Sequence, residues 1–139
     1  MERCGRAKES VMQRRMTAAV LMMAMVTISD AALAQVDNVA RGERTFNQQC
    51  KTCHTVEKGG ADGTGPNLAG LFGRKAGTIA GFAASDAMKA SGIVWDDKNL
   101  AEYLKDPKAR VPDGTMVFNG LKRQDQLDDV IAYLHRATQ

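Results

Sequence analysis

Soft metal ligands are scarce in this chain: its 139 residues include three cysteines, Cys4, Cys50 and Cys53, and two histidines, His54 and His135. A tetrahedral zinc site needs four good ligands, so outside Cys50–His54 it would have to draw on Cys4 and His135, and zinc is poorly supported. Long apolar runs are missing too; the stretch from Ala18 to Ile28 is too short for a comfortable membrane span. No segment shows the alternation of a half-buried strand, and there is no internal repeat or low-complexity tract. At 139 residues the chain makes at most one ordinary domain.

The basic surplus sits at one end. Arg3, Arg6, Lys8, Arg14 and Arg15 precede the apolar run, which leads into Ala32-Leu33-Ala34. A basic stretch, a short apolar stretch and an A-x-A site describe a secretory signal peptide over 1–34, cut after Ala34, with the mature domain at 35–139. The periplasm is the expected location; an uncleaved leader serving as a membrane anchor is the alternative. Removing the leader takes five of the 19 basic and three of the 16 acidic residues, leaving 14 and 13 and a net charge of +1. No bulk attraction to nucleic acid follows. Cys4 leaves as well, so the remaining 105 residues have no disulfide framework and only a modest core of their own.

What chemistry there is concentrates in Cys50-Lys51-Thr52-Cys53-His54. The pattern C-x-x-C-H is the attachment signature of a c-type haem: two sulfurs bond the porphyrin vinyl groups and the adjacent imidazole ligates the iron. A redox dithiol is the competing reading, but it would need a preceding strand in a βαβ surround. Here Val39, Gly42 and Phe46 fit a short amphipathic helix from Asp37 to Gln49, capped by Asp37 or Asn38, and a glycine-rich loop follows from Lys58 to Gly81. Ser85–Ala90 predicts a helical turn or two stopped at Gly92. Asp96 or Asp97 can cap a helix through Leu100, Tyr103 and Leu104 that ends before Pro107. Ala109–Gly120 reads as loop. Leu127, Val130, Ile131 and Leu134 mark a terminal helix from about Gln124 to Ala137. The fold class is all-α.

The second axial position decides the kind of haem protein. Six of the eight methionines fall in the leader, leaving Met88 and Met116, with His135 as the other imidazole. Met116 lies in a loop without helical period and is the expected ligand. Met88 reads as a core-filling methionine on a short helix, and His135 as a surface cation favoured by the last turn of its helix. Packing is the plain alternative for Met116 as well.

The mature sequence closely resembles the class I cytochromes c, in the branch of bacterial cytochrome c2 and mitochondrial cytochrome c. The resemblance is carried by Gly42 and Phe46, Cys50 through Gly60, Gly65-Pro-Asn-Leu-Ala-Gly-Leu-Phe-Gly-Arg74, Gly92-Ile-Val-Trp95, Tyr103-Leu104, Pro107-Lys108, Pro112 through Met116, Phe118 and Ile131-Ala-Tyr-Leu134. It implies one small domain of three to five helices wrapped around a single haem c, covalent through Cys50 and Cys53, with His54 and Met116 on the iron. It also implies that the Pro66 carbonyl orients His54, that the Tyr103 hydroxyl approaches the Met116 sulfur, and that Arg74 and Trp95 face the haem propionates. Gly42 would let the first and last helices cross against Tyr133 and Leu134. Three positions depart from the pattern: Ala84 replaces a propionate-binding tyrosine, Thr115 a lysine, and Met88 an asparagine common in mitochondrial members.

Iron with two protein ligands has no open site for substrate, so the resemblance implies an electron carrier and not an enzyme. A haem enzyme or sensor with a labile sixth ligand, or a membrane-tethered electron-transfer subunit, are the alternatives. Thioether ligation and burial imply a positive potential. Implied partners are redox proteins such as a cytochrome bc1-type complex, a terminal oxidase, a reductase or a photosynthetic reaction centre, met by a monomer. Arg44, Lys108, Arg110, Lys122 and Arg123 would ring the exposed haem edge, with Asp125, Asp128 and Asp129 elsewhere, a dipolar surface suited to transient docking.

Overall fold

The computed structural model describes the backbone of residues 29–139 and the side chains of residues 37–139; the leader reading, with Cys4, lies almost wholly outside them. Residues Val36–Gln139 form one compact unit. The described residues contain five helices: α1 Ser29–Gln49, α2 Asp86–Ala90, α3 Asp97–Lys105, α4 Pro107–Arg110 and α5 Gln124–Ala137. None is long and apolar enough to cross a membrane.

Helix α1 begins upstream of the expected cap. Ala31-Ala32-Leu33-Ala34-Gln35 is a run of strong helix formers with no breaker, so the helix runs through Asp37 and Asn38 instead of starting there. Freed from capping, the Asn38 side chain accepts a hydrogen bond from Arg41. The face bearing Gly42 and Phe46 packs on α5, where Leu127, Val130, Ile131 and Leu134 are buried at i, i+3, i+4 and i+7. Phe46 meets Tyr133 with ring centroids 5.3 Å apart.

The crossing point is Gly42. A β-carbon there would run into the Asp129 carbonyl and come within 2.8 Å of Tyr133 Cβ, so only glycine fits. Tyr133 is the expected neighbour, but Asp129, not Leu134, is the nearest one. Beside it Arg41 clamps the same turn of α5 bidentately, donating to Asp129 at 2.7 and 2.9 Å.

Elsewhere the caps work as the sequence implies. Ser85 accepts from Met88 N at 3.2 Å to start α2, and Asp96 accepts from Asn99 N at 2.7 Å to start α3, which buries Leu100, Tyr103 and Leu104. Helix α4 replaces the first part of the expected 109–120 loop. Pro107 at its first position is already set in helical φ, and the Asp106 side chain accepts from Ala109 N at 3.1 Å, so one turn closes. Between α1 and α2 the chain is irregular, tied by one isolated antiparallel bridge, Lys75 to Val94, with Ala76 N on Ile93 O at 2.8 Å.

Candidate functional site

The C-x-x-C-H segment continues α1 as a tight turn. Cys50 N donates to Phe46 O at 2.8 Å, and Cys53 N and His54 N both donate to Cys50 O at 3.0 Å, which turns the two thiols and the imidazole toward one cavity. The loop after it folds back along it: Gly65 N reaches Cys53 O at 2.9 Å and Leu68 N reaches Thr55 O at 2.8 Å. These two bonds bracket Pro66, whose carbonyl accepts from His54 Nδ1 at 2.8 Å. A carbonyl can only accept, so Nδ1 carries the proton and Nε2 keeps its lone pair for a metal. Gly65 lies flat on the ring, where a β-carbon would stand 2.7 Å from Nδ1.

On the other side of the sequence, Tyr103 of α3 donates its hydroxyl to the Met116 sulfur at 3.2 Å. The Tyr103 ring meets that of Trp95 edge-on, centroids 5.2 Å apart at 60°, and both residues are buried. Burial pushes the Tyr103 hydroxyl up to about 12, so it keeps its proton and stays a donor. Arg74 donates to Ala69 O at 2.8 Å, and burial holds its guanidinium below the usual arginine value against the opposing pull of Asp62.

All eight expected site residues, Cys50, Cys53, His54, Pro66, Arg74, Trp95, Tyr103 and Met116, line a single cleft of about 1450 Å³, its open mouth included. Met88, Ala84 and Thr115 line it too. His135 does not. It stacks on Phe72, centroids 3.6 Å apart and planes within 7°, and reaches Asp97 at 2.5 Å, so it bridges α5 to the start of α3. The remaining wall is mostly apolar, with Leu68, Leu71, Ile79, Phe82 and Leu100 among it, and among the described residues it contains no carboxylate and no lysine. Ile79 and Phe82 carry no periodic signal in their loop and escape sequence reading. So does Asn67, whose amide donates to Thr55 Oγ1 at 2.6 Å and Glu57 O at 2.9 Å and pins the loop that presents Pro66.

The thiols do not suit the competing chemistries. Burial, and then the neighbouring Cys53, push the Cys50 thiol up to about 11, the opposite of the depressed value a reactive dithiol needs. Among the described residues no three His, Cys, Asp or Glu side chains group as a metal site. A flat apolar ligand joined at two thiols, with a nitrogen and a sulfur donor on its metal, suits the donor set present.

Three of the five expected docking cations lie beside carboxylates. Arg110 pairs with Glu102 at 3.3 Å, Lys122 lies 4.0 Å from Asp106, and Arg123 pairs with Asp125. Asp129, expected on the acidic surface, is buried under Arg41, and Asp125 sits beside a supposed docking cation because Arg123 immediately precedes the helix whose first turn holds Asp125. Lys108 donates to Gly114 O at 2.8 Å, while Arg44 is exposed on α1.

Residues 39–138 match the cytochrome c family. The chain belongs to it. It is similar to a cytochrome c of Chlamydomonas reinhardtii, 49% identical over 111 residues covering 80% of this chain and 99% of that one. A cytochrome c2 of Blastochloris viridis is 45% identical over 109 residues, 78% of this chain and 85% of the other, and a cytochrome c of Theileria annulata is 50% identical over 99 residues, 71% and 85%. As a member of this family the chain is an electron carrier and not an enzyme, its cofactor is covalent haem c, and Cys50 and Cys53 have the attachment spacing. Its partners are redox proteins.

Proposed function

We propose that this cytochrome c family member shuttles single electrons in the periplasm, with Cys50 and Cys53 joined to the haem and His54 and Met116 on its iron. One juxtaposition carries the reading: His54, with Nδ1 committed to Pro66, and Met116, with its sulfur accepting from Tyr103, line the same apolar cleft as the two thiols. The haem supplies an iron that changes oxidation state by one electron. The protein's part is to orient both donors and keep water from the metal. Pro66 fixes the imidazole tautomer and the orientation of the ring. Arg74 and Trp95 would face the propionates, Arg74 being the one arginine or lysine among the described lining residues.

An absorption spectrum and redox titration of the mature protein test the ligand set: a methionine-to-Fe(III) band and a positive potential support it, and their absence overturns it. N-terminal sequencing of protein from the periplasmic fraction tests export, with Gln35 as the expected first residue. Association with an acidic redox partner should slow severalfold between roughly 0.01 and 0.15 M ionic strength, although the internal pairing of Arg110, Lys122 and Arg123 makes the dependence shallower than five free cations would give. Rates independent of salt would remove the electrostatic docking role.

Tyr103→Phe should lower the potential, because the hydroxyl draws electron density from the sulfur and makes it a poorer donor to Fe(III). A hydrogen bond of about 1 kcal/mol bounds the effect at about 40 mV. The same substitution has a signature in alkali. Tyrosine ionises near 10 when unfolded and at about 12 here, so its contribution to stability is complete below pH ~10 and is lost as the pH rises through ~12. Denaturant midpoints measured across that window should fall less steeply in Tyr103→Phe than in the wild type.

A further inference from the structure

The loop bearing Met116 is lightly held. It starts at buried Val111 and turns at Asp113, whose φ is 64°, with Gly114 N on Val111 O at 3.1 Å; it closes where Leu121 N meets Leu104 O at 2.8 Å. Between these ends, residues 115–120 make no backbone–backbone hydrogen bond among the described residues. Two side chains from outside hold it: Tyr103 on the Met116 sulfur, and Lys108 Nζ on Gly114 O at 2.8 Å. Gly114 is buried, and Lys108 is the one hydrogen-bond donor to its carbonyl among the described residues. The lysine stands on a firm base, since α4 is capped by Asp106 and anchored by buried Pro107.

We propose that Lys108 is a positioning residue for the axial thioether: its ammonium latches the loop two residues ahead of Met116 and so sets how often the sulfur leaves the iron. A charge-assisted bond to a buried carbonyl is stronger than a neutral one, and in a segment without ladder bonds, held otherwise by the packing of Met116 and Phe118 on the core, each such tie counts for more. The proposal rests on the Met116 ligation proposed above.

The test uses the oxidised holoprotein as wild type, Lys108→Ala, Lys108→Arg and Lys98→Ala, the last removing an exposed lysine that pairs, among the described residues, with Glu102 at 3.9 Å. Imidazole is titrated in to displace the thioether, and amide hydrogen exchange is followed at Gly114 and at Val130 in the core of α5. Lys108→Ala should bind imidazole about tenfold more tightly and exchange its Gly114 amide about tenfold faster, with Val130 unchanged, while Lys108→Arg returns close to wild type. Unchanged imidazole affinity and Gly114 exchange in Lys108→Ala, with the methionine band present, would overturn the latch and leave the ligand assignment standing. An equal gain in Lys98→Ala, or equal acceleration at Val130, would also overturn it, since the effect would then be general. A wild-type protein lacking the methionine band would overturn the ligand assignment and the latch together.

Discussion

Met116→Ala is expected to abolish the methionine-to-iron band and lower the reduction potential by on the order of 100–300 mV, a sizeable part of the range that axial ligands command. The thioether is a soft donor that favours Fe(II), and its loss leaves either water or a nitrogen base on the iron, both better matched to Fe(III). Met88 also lines the cleft, but its backbone is held at both ends of α2, with Met88 N on Ser85 Oγ and Met88 O accepting from Ser91 Oγ at 2.7 Å. It therefore should not replace Met116. A Met116→Ala protein that keeps the band, and loses it only when Met88 is also removed, would transfer the ligand role to Met88. Carbon monoxide binding to the reduced variant, but not to the reduced wild type, would show that the sixth position had been closed by Met116.

Gly42→Val should be the most damaging substitution outside the cleft, costing about 3 kcal/mol or more. The clash is with the Asp129 backbone carbonyl and with Tyr133 Cβ, neither of which can rotate away, so α1 and α5 must separate. Separation also exposes Phe46 and strains the Arg41–Asp129 clamp. Urea unfolding of the holoprotein should show a lower midpoint with little change in slope. Gly81→Ala is the control: its φ is 85°, but the added carbon meets nothing within 4 Å, so the cost is conformational strain of about 1 kcal/mol. A midpoint shift in Gly42→Val no larger than in Gly81→Ala would mean that the helices do not cross where the structure places them.

Those two sites show why parts of the molecule are readable from sequence. The C-x-x-C-H spacing is dictated by covalent chemistry, and the α5 period by burial of one helix face, so each leaves a local pattern. Ser85 and Asp96 are readable for the same reason, since a cap satisfies groups a few residues away. The start of α1 is misread because Asp37 and Asn38 look like caps when the competing signal, the alanine-rich stretch before them, is assigned wholly to the leader. The turn of α4 is hidden because the proline that marks the end of one helix also begins the next. Ile79 and Phe82 reach the site, and Asn67 pins the loop that presents Pro66, through loop geometry, which has no period to detect. The pairing of Arg110, Lys122 and Arg123 is not legible, because a list of cations does not say which carboxylate lies beside each.

The wall of the cleft has one further bearing on its work. With no carboxylate or lysine among the described lining residues, and with His54, Arg74 and Tyr103 tied to Pro66, Ala69 and Met116, these three polar groups have little freedom to turn when the iron gains or loses a charge. Surroundings already set for both oxidation states need little rearrangement at each transfer. The same arrangement that commits the pocket's His54 and Tyr103 to fixed partners favours a low barrier to electron exchange.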